Sequence, residues 1–257
     1  MFAEAVPWHD HSVFQTEVES YFRRENLVFW IFLAFQAGAV NTGGFLACHR
    51  FVSHVTGFAT FFGLEAAQSR FSEAMGMLTV PLFFLGGAML SAFFIDRKRL
   101  RGERPRYALV LGAIATIFMA VSLGGNYGQF GAFGEPLELT RDYALLSLLC
   151  LACGMQNGLV STASGHVIRT THLTGLTTDL GLGIVRSMSA MPGHQMLKKK
   201  ERSMNWLRFL TIVSFCAGAW GGALLFLSHG YLGFALPALL STFLFVYALF
   251  FRGASPT

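Results

Sequence analysis

The chain has 257 residues, 53% hydrophobic and 13% charged, with a mean hydropathy of +0.51. Soluble domains carry about 25% charged residues, so this composition argues against one and for a polytopic membrane protein. The net charge of +5 does not mark nucleic-acid binding: twelve of the nineteen Lys and Arg fall within Arg97 to Arg106 and Arg186 to Arg208, and basic clusters between apolar runs mark cytoplasmic loops.

Residues 1–25 hold Glu4, Asp10, Glu17 and Glu19 and lack the apolar core of a signal peptide. Val13, Phe14, Val18, Tyr21 and Phe22 fall near helical spacing, which fits a helix on the membrane surface as well as a cytoplasmic tail. Six runs then have the length and apolarity to cross a bilayer, which takes about 20 residues. They are Leu27–Cys48, Met75–Ile95, Tyr107–Leu123, Tyr143–Val160, Trp206–Leu227 and Tyr231–Phe251. Two further segments, 50–70 and 163–190, are too polar to match them. The four cysteines lie in or at the ends of apolar runs, so Cys150-x-x-Cys153 reads as two small buried side chains one helical turn apart.

The two polar segments carry the same motif. His54-Val-Thr-Gly-Phe-Ala-Thr-Phe-Phe-Gly-Leu64 returns as His172-Leu-Thr-Gly-Leu-Thr-Thr-Asp-Leu-Gly-Leu182, displaced by 118 residues. Upstream, Gly38-x-x-Asn41 matches Gly154-x-x-Asn157 at 116; downstream, Phe83-x-x-Gly86 matches Phe215-x-x-Gly218 at 132. The ordered series predicts two related halves, 26–123 and 143–252, joined by an extracytoplasmic linker over 124–142.

Charge predicts how the halves thread the membrane. If all eight segments crossed, one of the two basic loops would lie outside, against the positive-inside bias. If neither polar segment crosses, both basic loops and both termini are cytoplasmic, and 124–142, with one Arg against three acids, falls outside. The expected fold is therefore all-α and integral to the membrane. It has about six crossings in two three-helix repeats, each with a re-entrant half-helix segment. Three crossings per half is an odd number, so the repeats must be inverted. Inverted repeats with broken helices are a signature of transport proteins.

The motif's chemistry follows from that placement. With Thr56 and Thr174 taken as helix starts, each hydroxyl can accept from a free N–H of the first turn. Gly57 and Gly175 admit close backbone approach, and Thr60 and Thr178 project from the same face. His54 and His172 stand at the turns, either as structural imidazoles or as part of a route. Two helix amino ends at one depth disfavour bare cations and favour anions or small neutral solutes. Asp179 complicates this, because Phe61 stands at its counterpart; it reads equally as a functional acid or as a partner of His172 or Arg169. Asn41 and Asn157 either clamp the adjacent hairpin or line the route. Gln36 and Gln156 are similar but less symmetric. Glu65 reads as a solvated residue near the outer mouth, and Gly86, Gly87 and Ser91 with Gly218 and Gly222 as close helix packing. His49, His54, His166 and His172 have no metal-ligand spacing, so neither a metal nor another cofactor is expected.

Ala37-Gly-Ala-Val-Asn41, Ser53-His-Val-Thr-Gly57, Gly154-Met-Gln-Asn157 and Thr171-His-Leu-Thr-Gly175 resemble the recurring motifs of the YoaK-like family of bacterial inner-membrane proteins of unknown function. The resemblance spans about residues 27–251 and implies a membrane protein of about six helices in the bacterial inner membrane. Two departures stand out: that family often has Asp where Asn41 stands, and Asn where Phe58 stands.

The sequence thus predicts a transporter or channel for a small neutral or anionic solute, with the bilayer and that solute as partners and a homo-oligomer compatible. A non-transporting scaffold or assembly subunit is the second reading. An intramembrane enzyme is the third, and no nucleophile–base pair at motif spacing supports it.

Overall fold

The computed structural model describes residues 24–135, 141–165, 168–189 and 195–250. The surface-helix expectation for 1–25, and His166, lie largely or wholly outside these. The described residues form α1 (Arg24–Cys48), α2 (Val55–Ala67), α3 (Phe71–Phe94), α4 (Asp96–Leu100), α5 (Tyr107–Asn126), α6 (Arg141–Ala163), α7 (Leu173–Ser189), α8 (Gln195–His229), a 3-10 turn (Gly230–Phe234) and α9 (Ala235–Phe250), and no strand. Helices are what a lipid environment demands, since they satisfy their own backbone groups. On α5 the buried residues Val110, Ile114, Phe118, Val121 and Gly125 recur at helical spacing, while Leu109 and Leu123 are exposed.

Five stretches are long and apolar enough to cross a membrane: 26–48, 71–100, 107–126, 143–163 and 198–250. The last contains two helices, because Gly230 takes φ +54°, a conformation cheap only for glycine, and turns the chain between α8 and α9. Counted apart, α8 and α9 correspond to the last two of the six apolar runs. Leu82, Leu85, Met89, Trp220, Leu227 and Leu239 are exposed on these helices, a surface suited to lipid. In contrast, α2 has 13 residues and rises about 20 Å, short of the hydrocarbon thickness of about 30 Å.

The largest helix contacts join the first half of the chain to the second: α3 with α6, and α1 with α8. Both pairs run in the same direction. Along α3 and α6, Gly76 meets Tyr143, Gly87 meets Leu151 and Met155, and Gly158 meets Ser91. Along α1 and α8, Gly38 meets Phe215, Ala39 meets Gly222, and Gly43 meets Phe226. By contrast α5 and α9 run in opposite directions, with Gly112 on Phe245 and Gly125 on Tyr231. Small residues let these backbones touch. A Cβ at Gly38 would collide with the Phe215 carbonyl oxygen and one at Gly218 with that of Phe35; likewise Gly154 with Phe84 and Gly87 with Leu151.

These contacts correct one register. The spacing of 132 equates Gly86 with Gly218, but Gly86 has nothing within 4 Å. The residue that meets a partner backbone as Gly218 does is Gly87, so the equivalence is 131. Sequence could not separate the two, because the glycines are adjacent and only packing distinguishes them.

Candidate functional site

The repeated motifs sit where the chain doubles back on itself. After Cys48, His49 takes a left-handed φ of 54° and its Nε2 lies 3.1 Å from the Gly134 carbonyl oxygen. The chain then retraces α1: Phe51 stacks on Phe45, Val52 lies against Gly44, and Ser53 Oγ donates to Asn41 Oδ1 at 2.9 Å. Asn41 is seven residues before the end of α1, so α2 begins about 10 Å back along that helix. The second half repeats the arrangement. Beyond α6, Ser164 Oγ accepts from the Ile168 N–H at 2.9 Å, and Thr171 Oγ1 donates to Asn157 Oδ1 at 2.5 Å. Asn157 is six residues before the end of α6, so α7 begins about 9 Å back. Of the two readings of the asparagines, the hydrogen bonds fit the clamp. Asn157 Nδ2 is buried without a partner.

Helices α1 and α6 cross at a buried amide pair that the sequence flagged only weakly. Gln36 Nε2 donates to Gln156 Oε1 at 2.9 Å, and Gln156 Nε2 donates to the Leu33 carbonyl at 2.8 Å and to Thr170 Oγ1 at 3.5 Å. Ser241 Oγ on α9 donates to Gln36 Oε1 at 3.0 Å. All four side chains are almost wholly enclosed. The chain of bonds ties α1, α6, α9 and the turn before α7 together. Asn41 lies five residues past Gln36 and Asn157 one past Gln156, on helices of opposite direction, so the two turns are about 9 Å apart along the bundle.

The structure alters three expectations for the motif. First, neither Thr56 nor Thr174 starts a helix: α2 begins at Val55 and α7 at Leu173, and His54, the N-cap of α2, makes no side-chain cap bond. The first turns close through the main chain, Gly57 N–H to the His54 carbonyl and Leu176 N–H to the His172 carbonyl. Second, Thr60 and Thr178 each donate their hydroxyl to the carbonyl four residues back, at 3.2 and 2.9 Å. The unspent hydroxyls are those of Thr56 and Thr174, for which no partner stands among the described residues. Third, Glu65 is not solvated: its side chain is 14% exposed and pairs with Arg70 at 2.5 Å.

His54, Thr56, Thr60, His172, Thr174, Thr178 and Asp179 are all exposed on the lone chain, and Gly57 and Gly175 are half-buried. The structure therefore brings the turns to one crossing but leaves their polar face open. A Cβ at Gly63, Gly175 or Gly181 would meet nothing within 4 Å. Asp179 lies six residues into α7, about 9 Å from its start, and pairs with neither His172 nor Arg169. On the far side of α7, Arg186 and Arg208 flank Glu201 at 4.0 and 3.5 Å, fastening α7 to α8.

Among the described residues no cluster of three metal-ligating side chains is present. Cys150 and Cys153 are buried free thiols, and Cys150 Sγ lies 3.1 Å from the Val52 carbonyl oxygen. A groove of about 620 Å³ runs between α3 and α6, lined by Gly76, Val80, Phe83, Tyr143, Ser147 and Leu148; it does not reach either Thr-Gly turn.

Compared with known protein families, residues 29–247 match the one described as a protein of unknown function, DUF1275. No curated protein and no solved structure matches.

Proposed function

The chain belongs to the DUF1275 family, within which the YoaK-like proteins fall, and from that premise we propose that it conducts a small neutral or anionic solute across the bacterial inner membrane. The observation that carries this reading is the pair of turns: two short helices, α2 and α7, start well inside the ends of α1 and α6 and leave toward opposite ends of the bundle. Each presents a free Thr hydroxyl, an imidazole and a helix amino end, the two turns lying about 9 Å apart along the bundle. Polar groups at membrane depth mark pathways more often than packing, and helix amino ends favour anions and hydrogen-bonding solutes over cations.

In this reading the halves are inverted repeats, both termini are cytoplasmic, and the α2 and α7 hairpins are re-entrant. Helix direction supports it, since α1 and α6 are antiparallel although they are equivalent in sequence. A reporter fused at Lys199 is expected to give a cytoplasmic signal and one at Gly131 a periplasmic signal; a periplasmic signal at Lys199 overturns the six-crossing arrangement.

Flux into proteoliposomes tests the route. Thr56→Val with Thr174→Val keeps shape and removes both free hydroxyls, so uptake of the permeant solute is expected to fall at least tenfold with the protein still monodisperse. Unchanged flux removes these hydroxyls from the mechanism. A second reading, a non-transporting scaffold, is favoured by the groove of about 620 Å³ lying on α3 and α6 away from the turns. Absence of flux for every solute tested, with the fold intact, would select it.

A further inference from the structure

Both turns lie on one face of the bundle. Cys150 and Asn157 are seven residues apart on α6, about two helical turns, so their side chains point the same way. Cys150 Sγ meets the Val52 carbonyl in the segment leading into α2, and Asn157 Oδ1 accepts from Thr171 in the segment leading into α7. Helix α9 takes the other side of α1, where Ser241 donates to Gln36, about 140° around that helix from Asn41.

On this face α2 and α7 turn the same stripe outward. Thr56-x-x-Ala59-Thr60-x-x-Gly63 repeats as Thr174-x-x-Thr177-Thr178-x-x-Gly181, and every named position is exposed. Spacings of three and four put each set on one side of its helix. The surfaces that suit lipid are built differently, from Leu82, Leu85 and Met89 on α3 or Trp220 and Leu227 on α8. About the first seven residues of α2 and of α7 lie within the length of α1 or α6, at membrane depth. Small residues and hydroxyls at that depth suit a helix–helix contact, where backbones approach closely and hydroxyls find partners across the gap. Against acyl chains they would find none.

The face also carries both signs of charge at one level. Arg169 stands in the segment that runs back along α6, and Asp179 stands six residues into α7, about 9 Å toward the same end of the bundle. Both are exposed, and they do not pair with each other. A two-fold axis along the membrane normal preserves depth, so a second copy brings its Arg169 to the level of this copy's Asp179, and the reverse.

Resting on the transport reading above, we propose that two copies of the chain pair through this face and that the route runs between them. A face that accepts its own copy closes as a two-fold pair. Each chain alone leaves its Thr hydroxyls and imidazoles open to one side, and the second copy supplies the missing wall.

The test uses the full chain with its exposed thiol removed (Cys216→Ser), purified and reconstituted into liposomes. A bifunctional maleimide is expected to link Gly63→Cys or Gly181→Cys chains into dimers at least tenfold more efficiently than Leu85→Cys or Leu239→Cys chains. Equal yields at all four positions overturn the inference. A Cβ at Gly63 or Gly181 meets nothing within 4 Å in the lone chain, so Gly63→Trp with Gly181→Trp fills the face without disturbing the fold. By single-molecule photobleaching the wild type is expected to be dimeric and this double variant a monodisperse monomer, with formate and urea flux lowered at least tenfold. A monomeric wild type, dimers that survive both tryptophans, or monomers with undiminished flux each overturn this inference and leave the transport reading standing. Dimers linked through this face that pass neither solute faster than empty liposomes overturn the transport reading and leave the pairing in place.

Discussion

Gly38→Leu and Gly154→Leu are each expected to leave no monodisperse protein in detergent, and Gly38→Ala and Gly154→Ala to lower the melting temperature. Each glycine lies where a helix from one half touches a helix from the other, and a single Cβ there runs into a backbone carbonyl oxygen, of Phe215 or of Phe84. A flexible side chain could move aside, but a carbonyl within a helix cannot. Overpacking costs about 1–3 kcal/mol and more where nothing yields, whereas Gly→Ala in a helix gains at most about 1 kcal/mol of propensity. The clash wins, and with Leu it wins by a margin the marginal stability of a folded chain does not cover. Gly86 is the control. With nothing within 4 Å of its Cβ, Gly86→Ala is expected to be neutral or slightly stabilising, while Gly87→Ala behaves like Gly154→Ala. The reverse pattern would restore the spacing of 132 and undo the helix equivalence derived from the contacts.

Gln156→Leu is expected to destabilise the protein by about 3–5 kcal/mol. Its amide makes three hydrogen bonds in a fully enclosed site. Hydrogen bonds between membrane helices average only about 0.6 kcal/mol each, because the separated helices also find partners. Here the loss adds up and strands the Gln36 amide, and a buried donor left unpaired costs a further 1–3 kcal/mol or so. Gln36→Leu strands the Gln156 and Ser241 groups in turn. The double variant, which removes both amides, is therefore expected to cost less than the sum of the singles by about 1 kcal/mol in thermal or denaturant melts. Strict additivity would mean that the two amides do not depend on each other, against their 2.9 Å contact.

Most of the architecture was readable from the residues alone. The apolar runs map onto α1, α3, α5, α6, α8 and α9, since a segment that must bury its backbone polar groups in lipid has few options besides a helix. The repeated motif located both doubled-back turns, because His, Thr and Gly recur in order at equivalent places. The asparagine clamps were readable too. An amide in an apolar helix needs a partner, and the adjacent hairpin was the expected one; that the bond is made to the hydroxyls of Ser53 and Thr171 rather than to hairpin backbone came only from the structure.

What the sequence could not supply were relations between residues far apart along the chain. That Gly87 rather than Gly86 faces the partner helix depends on rotation about the helix axis. The joining of Gln36 to Gln156, 120 residues apart, needs α1 and α6 to cross at one level. That Thr60 and Thr178 spend their hydroxyls on their own helices, while Thr56 and Thr174 do not, is a matter of side-chain direction. The sequence by itself determined which segments are helical, where they break and that the breaks are duplicated, because those depend on local polarity and on covalent order. Only the tertiary structure decided which helix of one half lies on which helix of the other and which polar groups remain unpaired at the crossing, because those follow from close packing in three dimensions, where each glycine contact excludes every alternative register.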